Sequence, residues 1–162
     1  MITILLIRHG IAEDSKGPDA DRALTAEGWE KTRAAMNGLV SRGYIPTSGV
    51  SSPYRRAAET MMCLRESTRD GFPAGYWDGL CPGGSPIKAE AWLRAQMVQL
   101  EQEGGSQVLA LVSHQPFLGD FIRHLTGQYI EVKKASCTVL HWTDRGFDFG
   151  VHFTPSQLRA LE

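Results

Sequence analysis

Two apolar runs stand out in the pattern of hydrophobic and polar positions along the chain. The first is ITILLI at residues 2–7, and the second is QVLALV at residues 107–112. Short runs of this kind, rich in Ile, Leu and Val, are typical of strands that are buried on both faces of a parallel sheet. A third, shorter strand is predicted around Val50, and the segments CTVLHWT and FDFGVHF favour a hairpin across Asp144-Arg145-Gly146.

Four helices are predicted between these strands from the spacing of apolar positions and from the residues at the helix ends. Thr25 has the side chain of an N-cap, and Pro53 is expected at the first position of the second helix, where its missing N–H is harmless. The segment 71–86 is rich in Gly and Pro and is predicted to be a loop. The predicted helices span 25–41, Pro53 through Leu64, about 86–102 and about 116–125.

Strands that alternate with helices along a chain predict an α/β fold. The expected architecture has three layers, α/β/α, around a mostly parallel central sheet with an antiparallel addition at its C-terminal end. A chain of 162 residues is long enough to bury a sizeable core, and we expect one domain over residues 1–162.

Cationic and imidazole side chains follow three of the predicted strands. Arg8 and His9 come directly after the first strand, and His114 follows the QVLALV strand. Arg55 and Arg56 lie in the first helical turn after the Val50 strand. Because ligands of such sheets bind beyond the carboxyl ends of the strands, we expect these residues at one edge. One guanidinium group can donate two hydrogen bonds to a phosphate, so the sequence predicts a site for a phosphoryl group.

The overall charge and the cysteines exclude several classes of function. A formal net charge of -1 and an isoelectric point near 6.5 give no field that would recruit nucleic acid or an acidic membrane surface. The sequence also offers no apolar stretch of the length that a membrane span requires. Cys63, Cys81 and Cys137 are odd in number and widely spaced, which indicates reduced thiols and a cytoplasmic protein.

The motifs favour chemistry without a metal or other cofactor. Arginines repel cations, no carboxylate accompanies the histidines, and no segment resembles a P-loop. A histidine can be the nucleophile of phosphoryl transfer if one ring nitrogen keeps its proton in a hydrogen bond. Gly10 allows the tight backbone that would bring a carbonyl to that proton on His9. His114 would then hydrogen-bond the transferring oxygens while the arginines neutralise their charge.

Five segments of the chain resemble the histidine phosphatase superfamily and, within it, the SixA-type phosphohistidine phosphatases. The segments are RHG at 8–10, DRALTAEG at 21–28, SPYRRAAET at 52–60, LCPGG at 80–84 and SHQPFLGDFI at 113–122. They occur in order over nearly the whole chain and agree with the predicted strands and helices. The resemblance implies a phosphoglycerate mutase-like fold and a phosphatase that acts on phosphohistidine.

The resemblance also implies a role for each matching position. It makes His9 the nucleophile that becomes phosphorylated, Arg8 and Arg56 the residues that hold the phosphate, and His114 the second histidine of the pocket. Arg56 is preferred over Arg55 because the family pattern places an arginine directly before the alanine and four residues before the threonine of its motif. Neighbouring helical residues point about 100° apart, so both arginines are not expected to serve equally.

Two further residues are expected near the substrate. Arg22 matches an arginine of the SixA-like pattern and is expected at the entrance of the pocket. Ser52, at the end of the Val50 strand, is expected either to donate to the phosphate or to cap the following helix beside Pro53.

The central loop bears on the leaving group. Larger members of the superfamily carry an acidic residue there that protonates the leaving oxygen, whereas SixA-like chains have a shortened loop; this chain has YWDGLCPGG with Asp78. An alkoxide needs such an acid, but an imidazole, with a pKa of about 6.5, leaves readily near neutral pH. The substrate is therefore expected to be phosphohistidine on a protein, such as a phosphorelay or phosphotransferase-system component.

Two alternatives remain open from the sequence. The chain could be a small-molecule phosphomonoesterase of the same superfamily that uses Asp78 as its acid. It could also be a non-catalytic module that captures a phosphorylated partner, although a binding module needs no nucleophile at His9.

Overall fold

A computed structural model describes residues 1–14 and 17–160 of the chain. Six strands form one mixed sheet, and helices cover both of its faces. The strands are β1 (Ile2–Arg8), β2 (Ser48–Ser51), β3 (Ala74–Tyr76), β4 (Gln107–Ser113), β5 (Cys137–Thr143) and β6 (Gly146–Phe153). The helices are α1 (Ala26–Ser41), α2 (Arg55–Glu66), α3 (Pro86–Glu103), α4 (Phe117–Thr126) and α5 (Pro155–Arg159).

The strands lie in the order β3-β2-β4-β1-β5-β6. The first four of these run parallel, and β5 pairs antiparallel with both β1 and β6. The expected α/β fold, with a mostly parallel sheet and an antiparallel C-terminal addition, is confirmed. The predicted hairpin is the β5–β6 pair.

The position of β1 between two layers of helices explains why its apolar run is nearly continuous. Ile4 and Leu6 pack with residues of α3 and α4, whereas Leu5 and Ile7 pack with residues of α1 and α2 on the opposite face. All four side chains are buried. Because successive residues of a strand point to opposite faces, a strand between two helical layers needs apolar residues at every position.

The structure corrects the start of the second helix. Helix α2 begins at Arg55 with Tyr54 as its N-cap, so Pro53 lies before the helix and not at its first position. The Ser52 hydroxyl accepts the Tyr54 N–H at 3.1 Å and so bonds the residue that caps the helix. Three residues, 52–54, therefore separate the end of β2 from the first helical turn.

Several short elements were not predicted. The segment 71–86 contains β3 and a 3-10 turn over Asp78–Leu80, and α5 follows β6. Strand β3 is fully exposed and forms by parallel pairing with β2, which its composition does not reveal. Helix α5 is only five residues long, and its capping box joins Thr154 and Gln157.

The sheet brings three strand ends to one edge. Arg8 at the end of β1 is in register with Ser113 at the end of β4, and Ser51 at the end of β2 is in register with Val112. The His9 N–H donates to the Ser113 carbonyl at 3.2 Å, which continues the pairing one residue beyond β1. The segments that follow the three strands therefore meet in space.

Candidate active site

His9 is held with one ring nitrogen engaged and the other available. Its Nδ1 lies 2.7 Å from the Gly10 carbonyl oxygen, and its Nε2 accepts the Arg56 Nε–H at 3.3 Å. A carbonyl only accepts and a guanidinium only donates, so the proton is on Nδ1 and the lone pair is on Nε2. Burial, together with the charges of Arg56, Arg8 and Lys134, lowers the pKa of His9 to about 4. The ring is therefore neutral near pH 7, as a nucleophile must be.

The backbone at Gly10 is enclosed by two helices. Its N–H donates to Thr60 Oγ1 of α2 at 3.0 Å, and that hydroxyl donates to the Arg56 carbonyl at 2.8 Å. On the other side, a Cβ at Gly10 would overlap Thr32 Oγ1 of α1. Glycine is thus favoured at this position, and the contacts of its backbone fix the carbonyl that holds His9.

Arg56 bridges the nucleophile and the mouth of the site. Its side chain is 6% exposed, and its Nε–H donates to His9. One terminal nitrogen donates to the Asp19 carbonyl oxygen at 2.8 Å, and the other lies 3.1 Å from Asp19 Oδ2. The guanidinium also lies over the Tyr54 ring, 5.1 Å from its centroid.

Arg55 points elsewhere. Its side chain is exposed and its Nε lies 3.2 Å from Glu59 Oε2, one turn further along α2. The structure therefore places Arg56, and not Arg55, against His9, as the motif spacing predicts.

Arg8 brings a second guanidinium beside His9. It is half-buried and its terminal nitrogen donates to the Val132 carbonyl at 2.9 Å, in the segment between α4 and β5. Its Nε is buried and has no hydrogen-bond partner in the described part of the chain. Burial lowers the pKa of Arg8 from its ordinary value. A guanidinium titrates so far above neutral pH that Arg8 still carries its charge near pH 7.

His114 lies against His9 with a ring-centroid distance of 5.0 Å and is only 1% exposed. Its Nε2 is 2.8 Å from Ser52 Oγ, while its Nδ1 is buried without a partner among the described residues. Burial, and then the charges of His9, Arg56 and Arg8, lower the pKa of His114 to about 3. The second imidazole is therefore also neutral.

Ser52 is fully buried, and its hydroxyl contacts His114 and the Tyr54 N–H. The Ser52 hydroxyl, which was predicted to contact a phosphate, thus already has hydrogen-bond partners within the protein. Of the two roles expected for Ser52, the helix cap is wrong, because Tyr54 and not Ser52 is the N-cap of α2.

Arg22 lies at the mouth of the site, joined to it through Asp19. Its Nε donates to the Glu13 carbonyl at 2.7 Å, and one terminal nitrogen lies 3.0 Å from Asp19 Oδ1. The hydrogen bond from Arg22, and then that from Arg56, hold the pKa of the Asp19 carboxyl below its usual range. The site therefore includes an ionised carboxylate between two arginines.

Sequence reasoning missed Asp19, because it belongs to none of the five motifs. It lies in a 3-10 turn over Asp19–Asp21 that folds back onto α2. Its spacing of three residues before Arg22 is typical of an ion pair within a helical turn and is the one sequence signal that could have marked it.

Asp78 lies in the 3-10 turn that follows β3. Within the described chain, no hydrogen bond or ion pair joins its carboxylate to His9, His114 or Arg56. The candidate acid of the central loop is thus not in direct contact with the group of residues described above.

The assembled group has a definite chemical capacity. A neutral imidazole presents a lone pair next to two guanidinium groups and a second neutral imidazole. Such a set can attack an electrophile that carries negative charge and can stabilise further charge on its oxygens. Tetrahedral phosphorus in a phosphoryl group is an electrophile of this kind.

The described residues, 1–14 and 17–160, also bear on two other kinds of site. There, no group of three or more His, Cys, Asp or Glu side chains is placed so that it could hold a metal ion. In the same part of the chain, no helix has the length and apolar character needed to cross a membrane.

Comparisons with known proteins bear on the family and the fold of the chain. Residues 4–82 match the family model of the histidine phosphatase superfamily (branch 1). An uncharacterised protein of Picosynechococcus sp. is 31% identical over 138 residues, which are 82% of this chain and 80% of that protein. A phosphohistidine phosphatase SixA homolog of Haemophilus influenzae is 28% identical over 136 residues, 78% of this chain and 79% of that protein. The solved structure of the protein histidine phosphatase SixA complexed with tungstate has the same fold, with a TM-score of 0.85 at 21% identity over 96% of this chain and 99% of that one.

Proposed function

This chain belongs to the histidine phosphatase superfamily, and we propose that it hydrolyses phosphohistidine carried on a protein, through a phosphoryl group transferred to His9. The observation that carries the proposal is the pair of contacts that leaves a lone pair on His9 Nε2 next to Arg56. Two relatives whose names include SixA, one a phosphohistidine phosphatase homolog and one a tungstate complex, support the substrate class and an anion site.

The reaction has two steps. The lone pair of His9 Nε2 attacks phosphorus, and the P–N bond to the substrate histidine breaks. The bonding electrons stay on the substrate ring, which leaves neutral because its other nitrogen carries a proton. Water then attacks phosphorus, the bond to His9 breaks, and its electrons return to Nε2. Both protons of the water leave with the phosphate, and the proton on His9 Nδ1 remains in its hydrogen bond to Gly10 throughout.

The carboxylates of the site support an imidazole as the leaving group. Asp19, the carboxylate that contacts Arg56, is kept ionised by Arg22 and Arg56, so it is a poor proton donor near neutral pH. An alkoxide without an acid would leave slowly, whereas an imidazole with a pKa of about 6.5 would not need one. For the phosphomonoesterase alternative, with Asp78 as the acid, no contact among residues 1–14 and 17–160 joins that carboxylate to His9, His114 or Arg56.

Guanidinium groups supply the positive charge that phosphoryl transfer requires, and the reaction is therefore proposed to need no metal ion. Arg56 is already directed at the nucleophile, and Arg8 lies beside it. His114 is neutral, and its Nδ1 has no partner in the part of the chain that the structure describes, so it completes the set of groups that can bind the transferring oxygens. The proposed partners are cytoplasmic phosphorelay or phosphotransferase-system proteins that carry phosphohistidine.

A paired rate assay tests the proposal. Wild type and His9→Ala would be given a phosphohistidine-bearing phosphotransfer protein and p-nitrophenyl phosphate, with divalent metals chelated. We expect the wild type to hydrolyse the phosphohistidine protein faster and His9→Ala to lose turnover, because no other described side chain offers the same lone pair beside Arg56. A matched control is His124→Ala, which removes an imidazole that instead contacts Glu90 on α3.

Each outcome has a definite meaning. Turnover that survives His9→Ala would overturn the mechanism, and a faster rate on the aryl ester would make the chain a general phosphomonoesterase. A single burst of phosphate, equal to the amount of enzyme, would support a module that binds its partner without turnover. Labelled phosphate recovered on the wild-type chain but not on His9→Ala, after denaturation at alkaline pH, would support the covalent step.

A further inference from the structure

Ser52 lies directly behind His114, in a position that the backbone fixes on both sides. Its N–H donates to the Val112 carbonyl of β4 at 3.0 Å, and its own carbonyl accepts the Ser51 hydroxyl at 2.9 Å. The side chain is fully buried, and Oγ is 2.8 Å from His114 Nε2. The hydroxyl therefore has little freedom to turn toward any other group.

The hydrogen-bond partners of Ser52 favour one direction for its proton. Its oxygen accepts the Tyr54 N–H at 3.1 Å, so the hydroxyl must donate elsewhere. Two acceptors are within reach, His114 Nε2 at 2.8 Å and Cys81 Sγ at 3.9 Å. Sulfur is a weak acceptor, and the imidazole nitrogen is much closer. The hydroxyl consequently donates to Nε2.

This assignment determines the protonation of the other ring nitrogen. His114 is neutral near pH 7 because of its burial, so it carries one proton, and with Nε2 acting as an acceptor that proton is on Nδ1. Nδ1 is buried and has no partner among the described residues. A buried donor without an acceptor is destabilising, and an oxygen atom of a ligand would supply the missing acceptor.

We propose that Ser52 is a positioning residue that keeps His114 in the tautomer protonated at Nδ1, so that this nitrogen donates a hydrogen bond to an oxygen of the phosphoryl group. The opposite tautomer would present a lone pair to the same oxygen and would repel it. The inference rests on the proposed function in naming the phosphoryl group as the acceptor. The tautomer itself is a property of the free protein and is measurable without turnover.

Nitrogen NMR of the protein labelled with ¹⁵N-histidine is the direct test, because a protonated ring nitrogen and a bare one have widely separated chemical shifts. In the wild type at pH 7 we expect His114 to show a protonated Nδ1 and an unprotonated Nε2. Ser52→Ala should populate the second tautomer, since Nε2 then has no donor. Cys81→Ala is the matched control, because it removes only the weaker acceptor and should leave the tautomer unchanged.

Inorganic phosphate serves as the probe of the proposed contact. Its addition to the wild type should shift the Nδ1–H resonance of His114, whereas the same titration of Ser52→Ala should shift it less. On the phosphohistidine protein, we expect Ser52→Ala to lower kcat about 10- to 100-fold. This is at most the decrease in kcat that the removal of one preorganised hydrogen-bond donor causes, because the imidazole itself is still present. Cys81→Ala should retain the wild-type kcat.

Several results would overturn the inference. They are a wild-type His114 protonated at Nε2, an unchanged tautomer in Ser52→Ala, or a Nδ1–H resonance that phosphate does not move. If Ser52→Ala does not fold, the wild-type spectrum, the phosphate titration and Cys81→Ala still decide the question. A wild type that fails to hydrolyse phosphohistidine but shows the expected tautomer and phosphate shift would remove the proposed function and leave the role of Ser52 intact.

Discussion

At the scale of single residues, the site keeps two imidazoles uncharged in a cationic environment. His9 and His114 have pKa values lowered to about 4 and about 3, first by burial and then by neighbouring positive charge. The arginines therefore do more than attract an anion: they also disfavour protonation of the nucleophile. Asp19 partly offsets this field, because its carboxylate bridges Arg22 and Arg56 at the mouth of the site.

Asp19→Asn is expected to tighten the binding of inorganic phosphate several-fold. The Asp19 carboxylate and a phosphate compete for the same guanidinium, while the contact from Arg56 to the Asp19 backbone carbonyl survives the substitution. Isothermal titration calorimetry at low salt measures the effect, which should shrink as salt screens exposed charges. Asp21→Asn, an exposed residue of the same turn, is the control for general charge and should change the affinity less. Weaker binding by Asp19→Asn would mean that the carboxylate orients Arg56 for phosphate.

At the scale of elements, the carboxyl end of β1 is packed tightly between α1 and α2. The Gly10 N–H is bonded to Thr60 of α2, and on the α1 side Thr32 leaves no room for a Cβ. The loop that carries His9 is therefore held by the distance between two helices and not by its own sequence alone.

Gly10→Ala is expected to destabilise the protein by about 1–3 kcal/mol and to lower kcat/KM, because the new methyl group overpacks a buried contact. Thr32→Ala alone should destabilise the protein less than Gly10→Ala, since it removes one buried methyl group and a hydroxyl that has no partner among the described residues. The double variant should recover most of the lost stability, because the nearest atoms, Leu24 Cδ2 and Thr32 Cβ, would then be 3.4 Å from the methyl group. Thermal unfolding and steady-state rates of the four proteins form the test. A double variant no more stable than Gly10→Ala would show that this overlap is not the cause.

The elements that could be predicted from the sequence are those that are stabilised by local features, such as the spacing of apolar residues or a helix cap. Strand β1 has an apolar run that matches burial on both faces, and α1 begins directly after its N-cap Thr25, whose side chain accepts the Gly28 N–H. Strand β3 could not be found in this way, because its three residues are exposed and its order comes from pairing with β2.

The residues of the candidate site also fall into those that the sequence predicts and those that only the structure reveals. Arg8, His9, Arg56 and His114 belong to motifs at strand ends, and the structure brings them together. Asp19 joins the site only because a turn folds back onto α2, and the contact of Ser52 with His114 joins residues 62 positions apart. Contacts of this kind depend on tertiary packing, which no local pattern of residues encodes.

At the scale of the whole molecule, the buried imidazoles couple stability to pH. Burial lowers the pKa values of His9, His114 and His152. An imidazole of the unfolded chain titrates at about 6.5, so below that pH the unfolded state binds more protons than the folded state. The free energy of unfolding therefore falls as the pH falls from about 6.5 toward 4.

Urea unfolding should thus show a lower midpoint at pH 5 than at pH 7. Carboxylates with lowered pKa values, such as Asp148, lose their contribution only as the pH falls below about 4, so they do not account for a change in this range. His152→Asn should reduce the difference between the two midpoints, because it removes one of the three imidazoles. Midpoints that do not differ between pH 7 and pH 5 would contradict the expectation.

The central place of β1 in the sheet has a consequence for synthesis of the protein. Its neighbours are β4, about a hundred residues later, and β5, later still, with Ile2 in register with Gln107 and Trp142. During synthesis, the run ITILLI stays unpaired until β4 and β5 have left the ribosome. Strand pairing over such separations along the chain is also slow. During that interval an apolar strand with two open edges is exposed to association with other chains, and a chaperone would protect it. A chain interrupted before residue 107 would have His9 but neither β4 nor His114.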